Sequence, residues 1–168
     1  FDRWYPLGKE DQPLRDYVLK NNVTSISGST AVLPVSAIDV QIPIPVLGSG
    51  AVGIGHVNTL IDVDGAVGVE PLVVGYYDQL YPSLPLLLAA KSLNLDIKDI
   101  QVNIGQGVRL GNLDIATDAS LRMHTYFYKN RDGKPAFQVD SFYDVFSGKI
   151  APEKYRDTIV LIGASAAG

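Results

Sequence analysis

The stretch IGHVNTLIDVDGAVGVEPLVVGYYDQLYPSLPLLLAAKSL, residues 54–93, decides the fold class. Two β-prone runs, 54–61 and 67–76, flank Asp62-Val63-Asp64-Gly65. An Asp-Gly pair between such runs predicts a hairpin, because both residues tolerate positive φ. Residues 77–81 predict a turn and a short return strand. Ser83 is placed to cap a helix running to Leu93, with Pro85 tolerated in its first turn. Leu84, Leu87, Leu88 and Lys91 share one face of that helix. Leu86, Ala89 and Ala90 make it apolar nearly all round, the pattern of a helix buried on most sides. Strands that lead into such a helix predict an α/β fold, a mixed central sheet with helices packed on it.

The flanking sequence extends this pattern. Toward the N-terminus, Asp11 is a helix cap, and Leu14, Tyr17 and Val18 fall on one helical face that ends at Asn21-Asn22. Residues 23–26 and 31–35 are β-prone. Residues 38–47 alternate, but Pro43 and Pro45 lack donors and predict an edge strand or an extended connection. Toward the C-terminus, 100–104, 108–110 and 113–116 read as short strands between Gly and Asn turns. Residues 121–128 alternate as one strand, with His124, Tyr126 and Tyr128 on its more polar face. Asp140 or Ser141 is expected to cap a short helix ending at Gly148. Residues 152–155 read as a helical turn. Residues 158–162 are almost wholly apolar and predict a strand buried on both faces. Gly163 and the small residues after it then read as a close backbone approach.

Composition excludes several kinds of chemistry. The chain has no cysteine, so disulfides, thiolate metal sites and cysteine catalysis are out. With two histidines, His56 and His124, no His-rich metal site forms. The net charge of −4 carries no basic nucleic-acid footprint. No segment approaches the roughly 20 apolar residues of a membrane span. The opening on Phe1 and the close on Gly168 read as those of a piece of a longer protein.

Each motif has a plain reading beside its functional one. Gly48-Ser49-Gly50-Ala51-Val52-Gly53 matches G-x-G-x-x-G, yet a phosphate loop needs a strand before it and a helix after it. Neither is predicted there, so it reads as a Gly-rich loop. Residues 163–168 follow an apolar run, but Ala167 and Ser165 stand where a nucleophile elbow or a dinucleotide loop needs glycine. Asp62, Asp64, Gly65 and Glu70 fail the calcium-loop spacing and read as turn residues. His56 reads as a buried imidazole bonded to Asn58 or to backbone. No nucleophile, base and oxyanion set emerges, and no cofactor or metal is expected.

Five blocks, in order, carry a family resemblance. They are Gly55-His56-Val57-Asn58, Asp62-Val63-Asp64-Gly65, Tyr81-Pro82-Ser83-Leu84, Tyr143-Asp144-Val145-Phe146-Ser147-Gly148 and the close from Ile159 to Gly168. Their order and spacing resemble the CHASE2 domain, most strongly over residues 51–168. Residues 1–50 resemble it less, so a single domain, incomplete at its N-terminus, is expected. The resemblance implies an extracytoplasmic sensory domain of bacterial transmembrane receptors, without catalysis, joined through membrane helices to a kinase or cyclase output. It implies an unknown small-molecule or other extracellular stimulus and a possible homodimer. By polarity and place in these blocks, His56, Asn58, Asp62, His124 and Tyr126 are the candidate ligand-facing groups. Asp64, Gly65, Ser83 and Gly163 are the candidate turn, cap and close-packing residues. The alternatives are a fragment of an α/β hydrolase or nucleotide-binding enzyme, and a receptor dimerisation module without a ligand.

Overall fold

A tight hairpin organises the fold in the computed structural model, which describes residues 14–28, 32–130, 132–133 and 135–164. By their contacts these fall into two compact units, residues 1–125 and 126–168. The first unit runs α1 (Asp16–Leu19), β1 (Ser25–Gly28), α2 (Pro45–Gly50), β2 (Val69–Pro71), β3 (Val73–Tyr76), β4 (Gln79–Pro82), α3 (Leu84–Ser92), β5 (Ile100–Ile104), β6 (Gly107–Leu110), β7 (Leu113–Ala116) and β8 (Arg122–His124). A 3-10 turn, Ile97–Asp99, leads into β5. This is the expected α/β class, with a four-stranded mixed sheet and packed helices.

In that sheet the order is β1-β5-β6-β7, with β1 parallel to β5 and the other pairs antiparallel. The three short strands read from 100–116 all form. The β-prone run at 23–26 shifts slightly, to β1. No strand forms over described residues 32–35; the Val35 carbonyl accepts the Gly75 N–H, and Ser36 beside it bridges Gly75.

The hairpin lies elsewhere than the Asp-Gly signal predicts. β3 and β4 pair across Tyr77-Asp78, with Val74 opposite Tyr81 and Gly75 opposite Leu80. Tyr77 takes a positive φ of 54° to make that turn. Asp62–Gly65 does form a turn. The Asp62 N–H donates to the Ala66 carbonyl, and the Gly65 N–H, at φ 80°, donates to the Asp62 carbonyl. The flanking runs do not pair with each other, however. Residues 54–61 form no strand and touch the sheet at one bridge, His56 with Ser83. Beyond the turn, β2 pairs with β8 instead. A local turn signal reports chain reversal, and strand pairing is then settled by which edges lie nearby.

Both faces of the hairpin are buried. Val73 and Leu80 enter one cluster with Leu86, Leu87, Ala90, Ile100, Val102, Val108 and Leu110. Val74, Tyr76 and Tyr81 enter a second cluster with Leu14 and Val18. The strand period of two sends neighbouring residues to opposite clusters. Helix α3 packs on the first cluster as predicted, and the Ser83 Oγ accepts the Leu86 N–H at 3.3 Å.

The alternating run from Leu121 stops early. β8 holds three residues, and Thr125 closes it with an N–H bond to the Gly68 carbonyl. Tyr126, Phe127 and Tyr128 are exposed and belong to the second unit. That unit has α4 (Phe142–Phe146) and a 3-10 turn, Pro152–Tyr155, both near the expected places. Ser141 holds the cap position of α4 without a side-chain cap bond. The Asp140 carboxylate instead accepts bonds from the Lys154 ammonium at 2.7 Å and the Tyr155 hydroxyl at 2.9 Å. The predicted strand at 158–162 is absent. Ile159, Val160, Leu161 and Ile162 are 50–78% exposed and pair with no strand among the described residues. A strand needs a partner edge, and apolar composition does not supply one. Gly163 correspondingly faces open space rather than a close approach. Asp11 and Ser165 lie outside the described residues.

Candidate functional site

The second cluster is hollow. A cavity of about 640 Å³ lies between α1, the extended chain 37–43, residues 54–58 and the Val74, Tyr76, Tyr81 face of the hairpin. All of these belong to the first unit. Its volume falls within the range of small-molecule sites, roughly 300–1,000 Å³.

Both side walls are segments laid along the hairpin edges. Outside β3, the Ala37 N–H donates to the Gly75 carbonyl and the Gly75 N–H donates to the Val35 carbonyl, each at 2.8 Å. Outside β4, the His56 N–H donates to the Pro82 carbonyl at 3.0 Å, and the Leu84 N–H donates to the His56 carbonyl at 2.8 Å. Gly55 permits that approach, since a Cβ there would stand 2.6 Å from the Leu84 nitrogen. Gly55 therefore packs closely against the start of α3. Asn21 ties the floor together. Its amide donates to the Tyr17 carbonyl at 2.7 Å, and its Oδ1 accepts the Ile54 N–H at 2.9 Å.

Prolines shape the remaining wall. Residues 38–44 form no strand, in line with the extended connection, and Pro45 then opens α2 at a position where no N–H is needed. The Tyr17 hydroxyl donates to the Pro43 carbonyl at 2.7 Å. Gly48 and Gly50 lie within α2, and residues 37–44, which lead into it, form no strand. The nucleotide reading of that motif thus lacks its strand-loop-helix context.

Two of the five candidate ligand-facing groups, His56 and Asn58, line the cavity. The Asn58 N–H donates to His56 Nδ1 at 3.3 Å, the local bond expected from sequence. That bond places the imidazole proton on Nε2, which is buried without a hydrogen-bond partner among the described residues. Burial lowers the His56 pKa to about 4, so the ring is neutral at physiological pH. Asp62, His124 and Tyr126 do not line the cavity. The Asp62 carboxylate accepts the Gly68 N–H, and Asp64 accepts the Ala66 N–H, so both fasten their turn. His124 is exposed on β8, opposite Val69. Tyr126 is exposed and stacks edge-on with Tyr128. Among the described residues, no group of three acidic or imidazole side chains gathers as a metal site.

Sequence reading passed over Asp39, Gln41, Tyr76 and Tyr81, which also line the cavity. The two tyrosines carried a signal, since Val74 and Tyr76 alternate onto one face of β3 and Tyr81 stands opposite Val74 on β4. Burial is the main cause that pushes both hydroxyls up to about 12. A Tyr77 hydrogen bond with Tyr77 and Asp39 charges adds to the shift at Tyr76, and Asp78 and Tyr76 charges add to that at Tyr81. Asp39 and Gln41 carried none beyond alternation with apolar neighbours.

The family comparison agrees with the motif blocks. The CHASE2 domain family matches residues 2–168, and the chain belongs to it. The match includes residues 2–50, outside the strongest blocks. The family consists of extracellular sensory domains of receptors and is not catalytic, which supports extracytoplasmic placement. No curated protein and no solved structure matches the chain. No helix among the described residues is long and apolar enough to cross a membrane.

Proposed function

We propose that this chain perceives a small-molecule stimulus for a bacterial membrane receptor, and that the cavity beside the hairpin is its input site. Adjoining transmembrane helices then carry the signal to a cytoplasmic kinase or nucleotide cyclase. The observation that carries this reading is a ligand-sized, mainly apolar cavity in a member of a sensory family. Its walls also suit a sensor. The segments at 35–37 and 54–58 each hold the hairpin by a few backbone bonds, so their displacement costs little. A ligand that prefers one wall position shifts the population by its differential affinity, with no chemistry required.

The test is to plug the cavity in the receptor that carries this chain. Val57 lines the cavity and is 71% exposed, so Val57→Trp adds bulk without overfilling a closed core. The expected result is a folded receptor, by circular dichroism of this chain, whose output no longer changes with stimulus. An unchanged stimulus response in Val57→Trp overturns the cavity as input site. A second reading, a pairing module, draws on the exposed Phe142, Phe146 and residues 159–162 of the second unit. Equilibrium sedimentation tests it, and a monomer at high micromolar concentration sinks it.

A further inference from the structure

The charge around the cavity restricts what enters it. Its walls are built largely from Leu, Val, Ile, Ala and Pro side chains. Among the described residues, no lysine or arginine lines the cavity. His56 brings no positive charge at neutral pH, and the two tyrosines bring no negative one. Among the described residues, Asp39 is the one acidic side chain that lines the cavity. It is exposed, so it stands where the cavity meets solvent. Its Oδ1 accepts the Val40 N–H at 2.7 Å, and no cation pairs with it among the described residues. An anion entering this space would leave water for an apolar wall beside a like charge. A cation with an apolar tail would place the tail among the aliphatic side chains and its charge by Asp39.

We infer that the cavity binds small organic cations, an apolar body ending in an amine or ammonium group held by Asp39. This rests on the cavity being a ligand site, as proposed above. It adds the ligand's charge class and the residue that selects it.

Three probes of matched shape test the charge directly on the 168-residue chain. They are 4-phenylbutylamine, 4-phenylbutanol and 4-phenylbutyrate, titrated calorimetrically and by thermal shift. The expected order is amine tightest, then alcohol, then carboxylate. The amine is expected to gain about fivefold over the alcohol, the weight of one exposed ion pair. That advantage shrinks in high salt, since exposed charges are screened. Asp39→Asn keeps an acceptor for the Val40 N–H and removes the charge. It is expected to leave the melting temperature in place and to bring amine and alcohol to equal affinity. The inference is overturned if the carboxylate binds as tightly as the amine, or if the amine preference survives Asp39→Asn. It is also overturned if none of the three binds up to its solubility limit. The ranking and the plug separate the two proposals. If the probes rank as expected while Val57→Trp receptors still respond, the cavity binds cations but is not the input.

Discussion

The two faces of the β3–β4 hairpin bury similar residues and end differently. On one face, Val73 and Leu80 meet α3 and the four-stranded sheet, and the buried side chains of that cluster are 9% exposed or less. On the other, Val74, Tyr76 and Tyr81 meet one short helix and two extended segments, and a cavity remains. Regular elements bring side chains in repeating rows that interdigitate. Extended chain pinned at single bridges brings fewer, and Pro43 in one wall lacks the N–H that a strand there would donate. Filled and hollow clusters therefore follow from the regularity of what covers each face.

Four substitutions or conditions sharpen this contrast. The largest effect is expected in the filled cluster. Ile100 is 0% exposed, so Ile100→Ala should lose about 2–5 kcal/mol by transfer and cavity terms. Urea unfolding measures it, and a loss below about 1 kcal/mol would show that the filled face is loose too.

Next is the seam between the faces. A Cβ at position 55 would lie 2.6–2.7 Å from backbone atoms of Ser83 and Leu84. Gly55→Ala should therefore cost about 1–3 kcal/mol by overpacking. It should also speed amide exchange at His56 and Leu84, whose N–H bonds cross that seam. Unaltered exchange at both amides would mean that the wall yields freely.

The third is a pH effect confined to the hollow side. The His56 pKa is about 4 in the folded chain against 6.5 when unfolded, so between these values the unfolded state binds more protons. Stability is then fully present above pH 6.5 and lost as pH falls toward 4. Allowing for the partial exposure of the ring, the loss should be about 2 kcal/mol or less. His56→Gln should flatten the urea midpoint between pH 4 and 6.5. An equal slope in both proteins would place the titration elsewhere.

The smallest effect is expected outside both clusters. Leu161 is 76% exposed, so Leu161→Ser should change stability by less than about 0.5 kcal/mol. A loss comparable to that at Ile100 would show that residues 158–162 are buried in solution.

Much of this was legible before the fold. Ser83, followed by proline and an apolar run, announced α3, because capping depends on residues three apart in sequence. The strands of 100–116 were legible for the same reason, since their hairpins close within a few residues. His56 was legible as an imidazole bonded to Asn58 or to backbone, and the Asn58 N–H, two residues on, is its partner. What escaped depends on distant partners. Residues 54–61 and 158–162 have strand composition, yet one touches the sheet at a single bridge and the other pairs with none among the described residues. Asp39 escaped as well, since its place by the cavity depends on where Ala37 meets Gly75.

Sequence by itself determined the α/β class, the family, the turn at Asp62–Gly65 and the capped helix. Each rests on local conformational preference or on ordered motifs, which require no knowledge of the far chain. Tertiary structure alone decided which edges pair, which apolar runs are covered, and that one face of the hairpin stays hollow. Those outcomes depend on competition among segments for the same edges and faces, and that competition is resolved only when the chain packs.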